Sequence, residues 1–149
     1  MRDSLPRSWV FAGLLRDLPP GRGQAVDLPG SQRVAFRSGA GEVTVADAHC
    51  PHMGTHLGHG GTVVDGCLRC PMHGLEFDTR GACVSEAAQR RLPALDQEPL
   101  SLRVHPSTVV AGMAFTWFDP AGGEPDFELP QLDDELWLPY RVRTERLGL

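Results

Sequence analysis

Two short motifs carry most of the reactive side chains in this 149-residue chain: Cys50-Pro51-His52 and Cys70-Pro71-Met72-His73-Gly74. Seventeen residues separate His52 from Cys70. Each motif supplies one thiolate and one imidazole on a loop stiffened by proline and flanked by glycine. A two-cysteine, two-histidine set suits tetrahedral zinc. It also suits a [2Fe–2S] cluster in which two histidines replace two cysteines on one of the irons. The spacing favours the cluster. Common zinc modules pair cysteine with cysteine at one end and histidine with histidine at the other, whereas both loops here are mixed. A two-iron rhomb takes one ligand for each iron from each loop. Gly54 and Gly74 let the backbone turn tightly beside the sulfurs, so that its amides can donate hydrogen bonds to the cluster.

Short strands are expected to position these loops. Segments bounded by Gly, Pro or Asp recur at residues 9–15, 24–28, 32–37, 42–46, 62–64 with 67–69, 75–77, 100–105 and 108–118. Val34/Phe36 and Val43/Val45 alternate with other residues across a glycine-containing loop at 38–41, as in a hairpin. No segment keeps a helical period over eleven residues, and only residues 85–92 could form a short helix. The pattern predicts an all-β fold of antiparallel sheets. Residues 49–83 hold all four cysteines and five of the six histidines. They form a smaller cluster-binding subdomain, on a base made by the N-terminal strands and those after about Leu100.

Length and composition set the outer bounds. About 150 residues is the commonest size of one domain, and 41% hydrophobic with 22% charged residues describes a soluble globular protein. The net charge of −5 and the lack of a basic stretch weigh against nucleic acid as a partner. Seven acids and no arginine lie in residues 119–135, so residues 120–149 read as an acidic, proline-punctuated arm or linker. The longest apolar runs, 9–15 and 109–115, are seven residues each, far below the ~20 that cross a bilayer. The first is followed by Arg16, Asp17 and a Pro-Pro-Gly turn, not by a small-residue cleavage site. A cytoplasmic location without membrane association is expected.

The sequence resembles the Rieske domain of Rieske-type non-haem iron oxygenases, most closely that of steroid-type members such as ketosteroid hydroxylases and cholesterol desaturases. The resemblance is carried by Cys-Pro-His-Met-Gly-Thr-His-Leu-Gly-His-Gly-Gly-Thr-Val-Val from Cys50 and by Cys-Pro-Met-His-Gly-Leu-Glu-Phe-Asp from Cys70. A strand near Trp9, a Leu-Pro-Pro-Gly turn and a late strand ending Thr-Trp-Phe-Asp-Pro agree with it, so it covers about residues 5–140. It implies a Rieske-type fold, with residues 1–140 as the domain. It also implies a [2Fe–2S] cofactor whose inner iron is held by Cys50 and Cys70 and whose outer iron is held by His52 and His73. The exposed histidine edges would then be the point of docking and electron exit.

Departures from the pattern refine this expectation. Leu75 stands where these oxygenases usually carry Trp and respiratory Rieske proteins carry Ser. Thr55 and Met72 stand where respiratory members place a loop disulfide. Without the disulfide or a hydroxyl donor, the potential is expected at the low end of the Rieske range, about −150 mV rather than about +300 mV. The oxygenases continue into a domain with mononuclear iron on two His and one carboxylate. No acid-x-x-His motif is found here, so the chain is expected to be an electron carrier and not a complete oxygenase. Its donor would be a flavin or ferredoxin-type reductase and its acceptor an oxygenase component. The alternatives are a split subunit or Rieske domain of a terminal oxygenase acting on a steroid-like or other hydrophobic substrate, and a zinc-stabilised binding module.

Remaining conspicuous residues have plainer readings. His49, His56 and His59 shape loops rather than ligate metal. Cys67 and Cys83 are expected as unbridged, partly buried thiols. Met53 and Met72 either cover the cluster or fill gaps in the core, and Trp9, Trp117 and Phe118 belong to the core.

Overall fold

The computed structural model describes residues 6–28, 30–39, 42–85 and 100–132. Its elements are β1 (Ser8–Leu14), β2 (Gln24–Leu28), β3 (Ser31–Arg37), β4 (Val43–Asp47), one turn of 3-10 helix (Leu57–His59), β5 (Thr62–Val64), β6 (Cys67–Arg69), β7 (Glu76–Phe77), β8 (Val104–His105), β9 (Ser107–Val110) and β10 (Met113–Phe118). The strands form three antiparallel sheets, ordered β1-β10-β9, β2-β3-β4-β8 and β5-β6-β7. The all-β expectation is met.

The middle sheet is a wall shared by two cores. Along β3, Val34 and Phe36 enter one core while Ala35 enters the other. On β4, Ala46 sides with the former and Val43 and Val45 with the latter. A strand's period of two sends alternate side chains to opposite faces, so a run buried on both sides reads as continuously apolar. One core packs this wall against Ala12, Ala114 and Phe118 of the first sheet. The other packs it against Leu57, Leu68, Leu75 and Phe77, and takes in Cys50 and Cys70.

Two expected strands differ from the observed ones. Residues 108–118 form a hairpin, not one strand, because Ala111 (φ 47°) and Gly112 (φ 73°) turn the chain between β9 and β10. Positive φ at both central residues is the two-residue turn that matches the twist of paired strands. Residues 100–105 pair as a strand only at Val104–His105, with Ser101 making an isolated bridge to Ala82. The proposed helical stretch at 85–92 lies, beyond Ser85, outside the described residues.

The acidic arm, as far as Leu132, contains neither strand nor helix. Its first part is tied to the base sheet. The indole N–H groups of Trp117 and Trp9 donate to the carbonyls of Gly123 and Phe127, each at 2.9 Å. Phe127 stacks edge-on against Trp117, and Arg7 pairs with Asp126. Trp117 and Phe118 are buried as expected, whereas Trp9 is half-buried at the edge of Trp117.

One buried cation links the first two sheets. Arg33 of β3 is 4% exposed, and its Nη1 donates to Thr116 Oγ1 (2.7 Å) and to the Trp117 carbonyl (2.6 Å) of β10. Burial lowers its guanidinium to about 10, while Asp47, its cross-strand partner on β4, favours the charge. Asp47 in turn accepts from His105 Nε2 at 2.6 Å, and burial holds that imidazole below its ordinary value while Asp47 opposes the shift. Removing the guanidinium strands two buried acceptors and breaks the charge network. Arg33→Ala is therefore expected to lower unfolding stability by about 3 kcal/mol, read as a lower urea midpoint. A loss below about 1 kcal/mol would show that the sheets are held together without it.

Candidate metal centre

Loop one leaves the end of β4 and closes into the 3-10 turn; loop two joins β6 to β7. They have the same backbone design. In the first, the Cys50 amide donates to the Thr55 carbonyl (2.9 Å) and the Gly54 amide to the Cys50 carbonyl (2.8 Å). In the second, Cys70 donates to Leu75 (2.7 Å) and Gly74 to Cys70 (3.0 Å). Both glycines sit at left-handed φ, +75° and +72°, a conformation that costs other residues about 1–2 kcal/mol. Cysteine and glycine thus keep the same offset in each loop, while histidine sits two residues after Cys50 but three after Cys70. Despite that difference the imidazoles of His52 and His73 meet, their centroids 4.8 Å apart and their planes at 79°.

The thiols and imidazoles divide by depth. Cys50 and Cys70 are 3% and 2% exposed, within the core that includes Leu57, Leu75 and Phe77. His52 is half-buried and His73 exposed. Burial pushes the Cys50 thiol up to about 11. The His52 amide, hydrogen-bonded to the sulfur, acts against this, the adjacent Cys70 thiol adds to it, and the Met53 amide opposes it. A thiol so placed becomes a thiolate when metal compensates its charge, and N–H donors for the Cys50 sulfur are already in place. Among the described residues, no three or more His, Cys, Asp or Glu converge as ligands of a single ion. The arrangement is a buried sulfur pair beneath a nitrogen pair, which fits a two-iron cluster better than one tetrahedral zinc.

The neighbouring residues sort as follows. Met53 and Met72 are 68% and 59% exposed, so neither fills a gap in the core; with Pro51 and Pro71 they form an exposed apolar rim. His56 Nδ1 accepts from the Gly58 amide (3.2 Å) and so caps the 3-10 turn, while its ring contacts those of His49 (5.0 Å) and His59 (4.1 Å). Cys67 and Cys83 are half-buried and not disulfide-bonded, and burial raises the Cys67 thiol, with Glu76, Asp78 and Asp65 adding to the effect. Sequence reasoning missed Arg69, whose guanidinium reaches Glu76 (Nε to Oε1, 3.5 Å) beside the second loop. A basic residue next to one motif and an acid just after it were the available signal.

Fold and loop composition together are those of an iron–sulfur domain. Residues 8–96 match the Rieske [2Fe-2S] domain family, and the chain belongs to it. Its cofactor is accordingly a Rieske-type [2Fe–2S] cluster. The cholesterol 7-desaturase of Xenopus laevis is 36% identical over 146 residues, covering 94% of this chain and 31% of that protein. A probable 3-ketosteroid-9-alpha-monooxygenase oxygenase component of Rhodococcus rhodochrous is 36% identical over 123 residues, covering 83% and 30%. The crystal structure of dicamba monooxygenase aligns with a TM-score of 0.65 at 28% identity, covering 82% of this chain and 38% of that one. The chain spans about a third of the length of these curated relatives. Among the described residues no helix is long and apolar enough to cross a membrane.

The His56 cap predicts a pH dependence. Burial lowers its pKa, His59 and His49 lower it further, and Asp27 opposes them. A depressed folded-state value means that the neutral ring stabilises the fold. That contribution is full above the ordinary imidazole value of about 6.5 and is lost as pH falls through the lower folded-state value. Asn also caps well and does not titrate in this range, so His56→Asn is expected to lose less melting temperature than wild type between about pH 7.5 and 5. Equal losses would remove His56 as a source of acid sensitivity.

Proposed function

We propose that this domain is a one-electron relay. Cys50 and Cys70 hold the inner iron and His52 and His73 the outer, and electrons pass from a flavin or ferredoxin-type reductase to an oxygenase component. The observation that carries this reading is the division by depth, with thiols sealed in the core and imidazole edges reaching the surface. When bound, the cluster accepts and returns single electrons. The protein's part is to insulate the sulfurs, present the ring edges and hold a proton on each ring nitrogen facing away from iron. Leu75 offers no hydroxyl donor, and Thr55 and Met72 cannot form a disulfide, which supports a low potential. The exposed rim of Pro51, Met53, Pro71 and Met72 supplies apolar contact area around that edge without a charge to desolvate.

A second reading keeps the relay and changes only the acceptor. The 36% identity to an oxygenase component favours a Rieske domain that feeds the catalytic iron of its own oxygenase assembly. The names of the relatives, a cholesterol desaturase and a ketosteroid monooxygenase, support a steroid-like substrate for the oxygenase that is served. Stopped-flow reoxidation separates the two readings. A reduced domain that transfers its electron in collisions with a separate oxygenase is a carrier; one that turns over only within a stable complex belongs to the terminal enzyme.

The cluster itself is tested by visible absorption and EPR of protein purified without air, before and after dithionite. A red-brown protein whose reduced form has the low average g of mixed Cys/His ligation is expected. His73→Cys should move the midpoint toward the about −400 mV of all-cysteine plant-type ferredoxins and reduce its dependence on pH. An unchanged midpoint in that variant would remove His73 as a ligand. A colourless protein with one zinc and no acid-labile sulfide would replace the relay by a structural zinc module.

A further inference from the structure

The two ligand loops are closed at equivalent places by different chemistry. His49 and Arg69 immediately precede the cysteines; His56 and Glu76 follow them by six residues. The backbones pair at both necks, His49 with His56 and Arg69 with Glu76. The side chains pair as well: the two imidazoles meet edge-on at 5.0 Å, and Arg69 Nε lies 3.5 Å from Glu76 Oε1. The second pair reaches further into its loop. A Cβ on Gly74 would stand 3.5–3.6 Å from Arg69 Nη2 and Nε, so the guanidinium lies against the turn glycine that follows His73. Gly54 has no such neighbour, since its Cβ position is open. The first loop is anchored instead through His56, which caps a turn whose Gly58 packs against the backbone of Ala25.

We propose that His49–His56 and Arg69–Glu76 are matched clasps, positioning residues that each close the neck of one ligand loop and hold that loop in the shape the cluster requires. The inference rests on the reading that these loops carry the cluster, and none of the four clasp residues is itself a ligand. Respiratory-type loops use a disulfide for closure; here the corresponding positions are Thr55 and Met72, and closure falls to the necks. Arg69 and Glu76 side chains are 50% and 29% exposed, and an ion pair so open to water adds little to global stability. Its influence is therefore local. Arg69 also places a cation against the second loop, where it would favour the reduced, more negative state of a cluster held there, and Glu76 would oppose it.

The test uses the holoprotein and Arg69→Gln, Glu76→Gln, the exchange R69E/E76R and His56→Asn. Arg69→Gln and Glu76→Gln are each expected to lose iron to a strong chelator about ten- to hundredfold faster, the usual effect of removing a residue that orients ligands. Melting temperature should hardly change. Their midpoints should move in opposite directions, down for Arg69→Gln and up for Glu76→Gln, while the exchange restores iron retention. His56→Asn keeps a capping acceptor but removes the ring facing His49, and should loosen only the first loop. Iron loss at the wild-type rate in both single variants, or loss that tracks melting temperature, would overturn the clasp. So would failure of the exchange to restore retention. Hydrogen exchange of the 70–76 amides gives a readout that does not need the cluster. Faster exchange in Glu76→Gln supports the clasp and unchanged exchange overturns it. A wild-type protein without iron would sink the ligand assignment alone.

Discussion

Two cysteines side by side in an apolar core must both become thiolates to hold metal, and burial works against that charge. Burial is the largest of the causes that raise the Cys50 thiol to about 11; the neighbouring Cys70 adds to it and the amides of His52 and Met53 act against it. Only groups that stabilise negative sulfur make such a site usable, and the loops consist largely of such groups. Proline restricts each loop after its cysteine. Glycine at left-handed φ turns the chain back, so that its amide bonds the cysteine carbonyl, and the amides of His52 and Met53 are left to face the Cys50 sulfur. The imidazoles bring no charge of their own and sit where water can reach them. A four-thiolate version of the same pocket would bury twice the negative charge.

The rest of the domain keeps this pair of loops in register. Loop one hangs from the middle sheet through β4, whereas loop two hangs from the small sheet through β6 and β7. Val34, Phe36 and Ala46 on the shared wall pack in the same core as Leu68, Leu75 and Phe77, so the distance between loops is set by side-chain packing across sheets. Because strand side chains alternate with period two, a one-residue slip in β3 would exchange its two cores. Arg33 resists this slip by fixing β3 to β10, and Asp47 and His105 extend the network to β4 and β8. The brace and the motif loops are therefore parts of one mechanical problem.

What could be read in advance follows the range of the interaction responsible. The family and its cofactor class were legible because each motif is local and mixes one cysteine with one histidine. Most strand positions were legible because glycine, proline and aspartate punctuate short apolar runs. The β9–β10 hairpin was missed because Ala111-Gly112 lies inside a continuous apolar run, and alanine does not advertise a positive φ. Arg33 was not singled out at all, since its partners Thr116 and Trp117 are more than eighty residues away and only sheet stacking brings them together. Arg69 was overlooked, and His56 was read only as shaping its loop, for a related reason. Their role depends on the backbone pairing at each loop neck, which spacing alone leaves undetermined.

Among the described residues, the acids of the arm serve the base sheet, from which neither motif loop springs. The arm's early acids serve local structure: Asp119 accepts from the amides of Ala121 and Gly123, and Asp126 pairs with Arg7. These contacts, together with the indoles of Trp9 and Trp117, tie the segment to the β1-β10-β9 sheet, whereas both ligand loops spring from the other two. Around His52 and His73 the exposed side chains are instead proline and methionine. Methionine is flexible and polarizable, and it adapts to irregular surfaces without demanding a fixed partner geometry. An electron relay has to release its partner after every transfer. For the relay proposed above, a small apolar rim around the ring edges would allow close approach and ready separation.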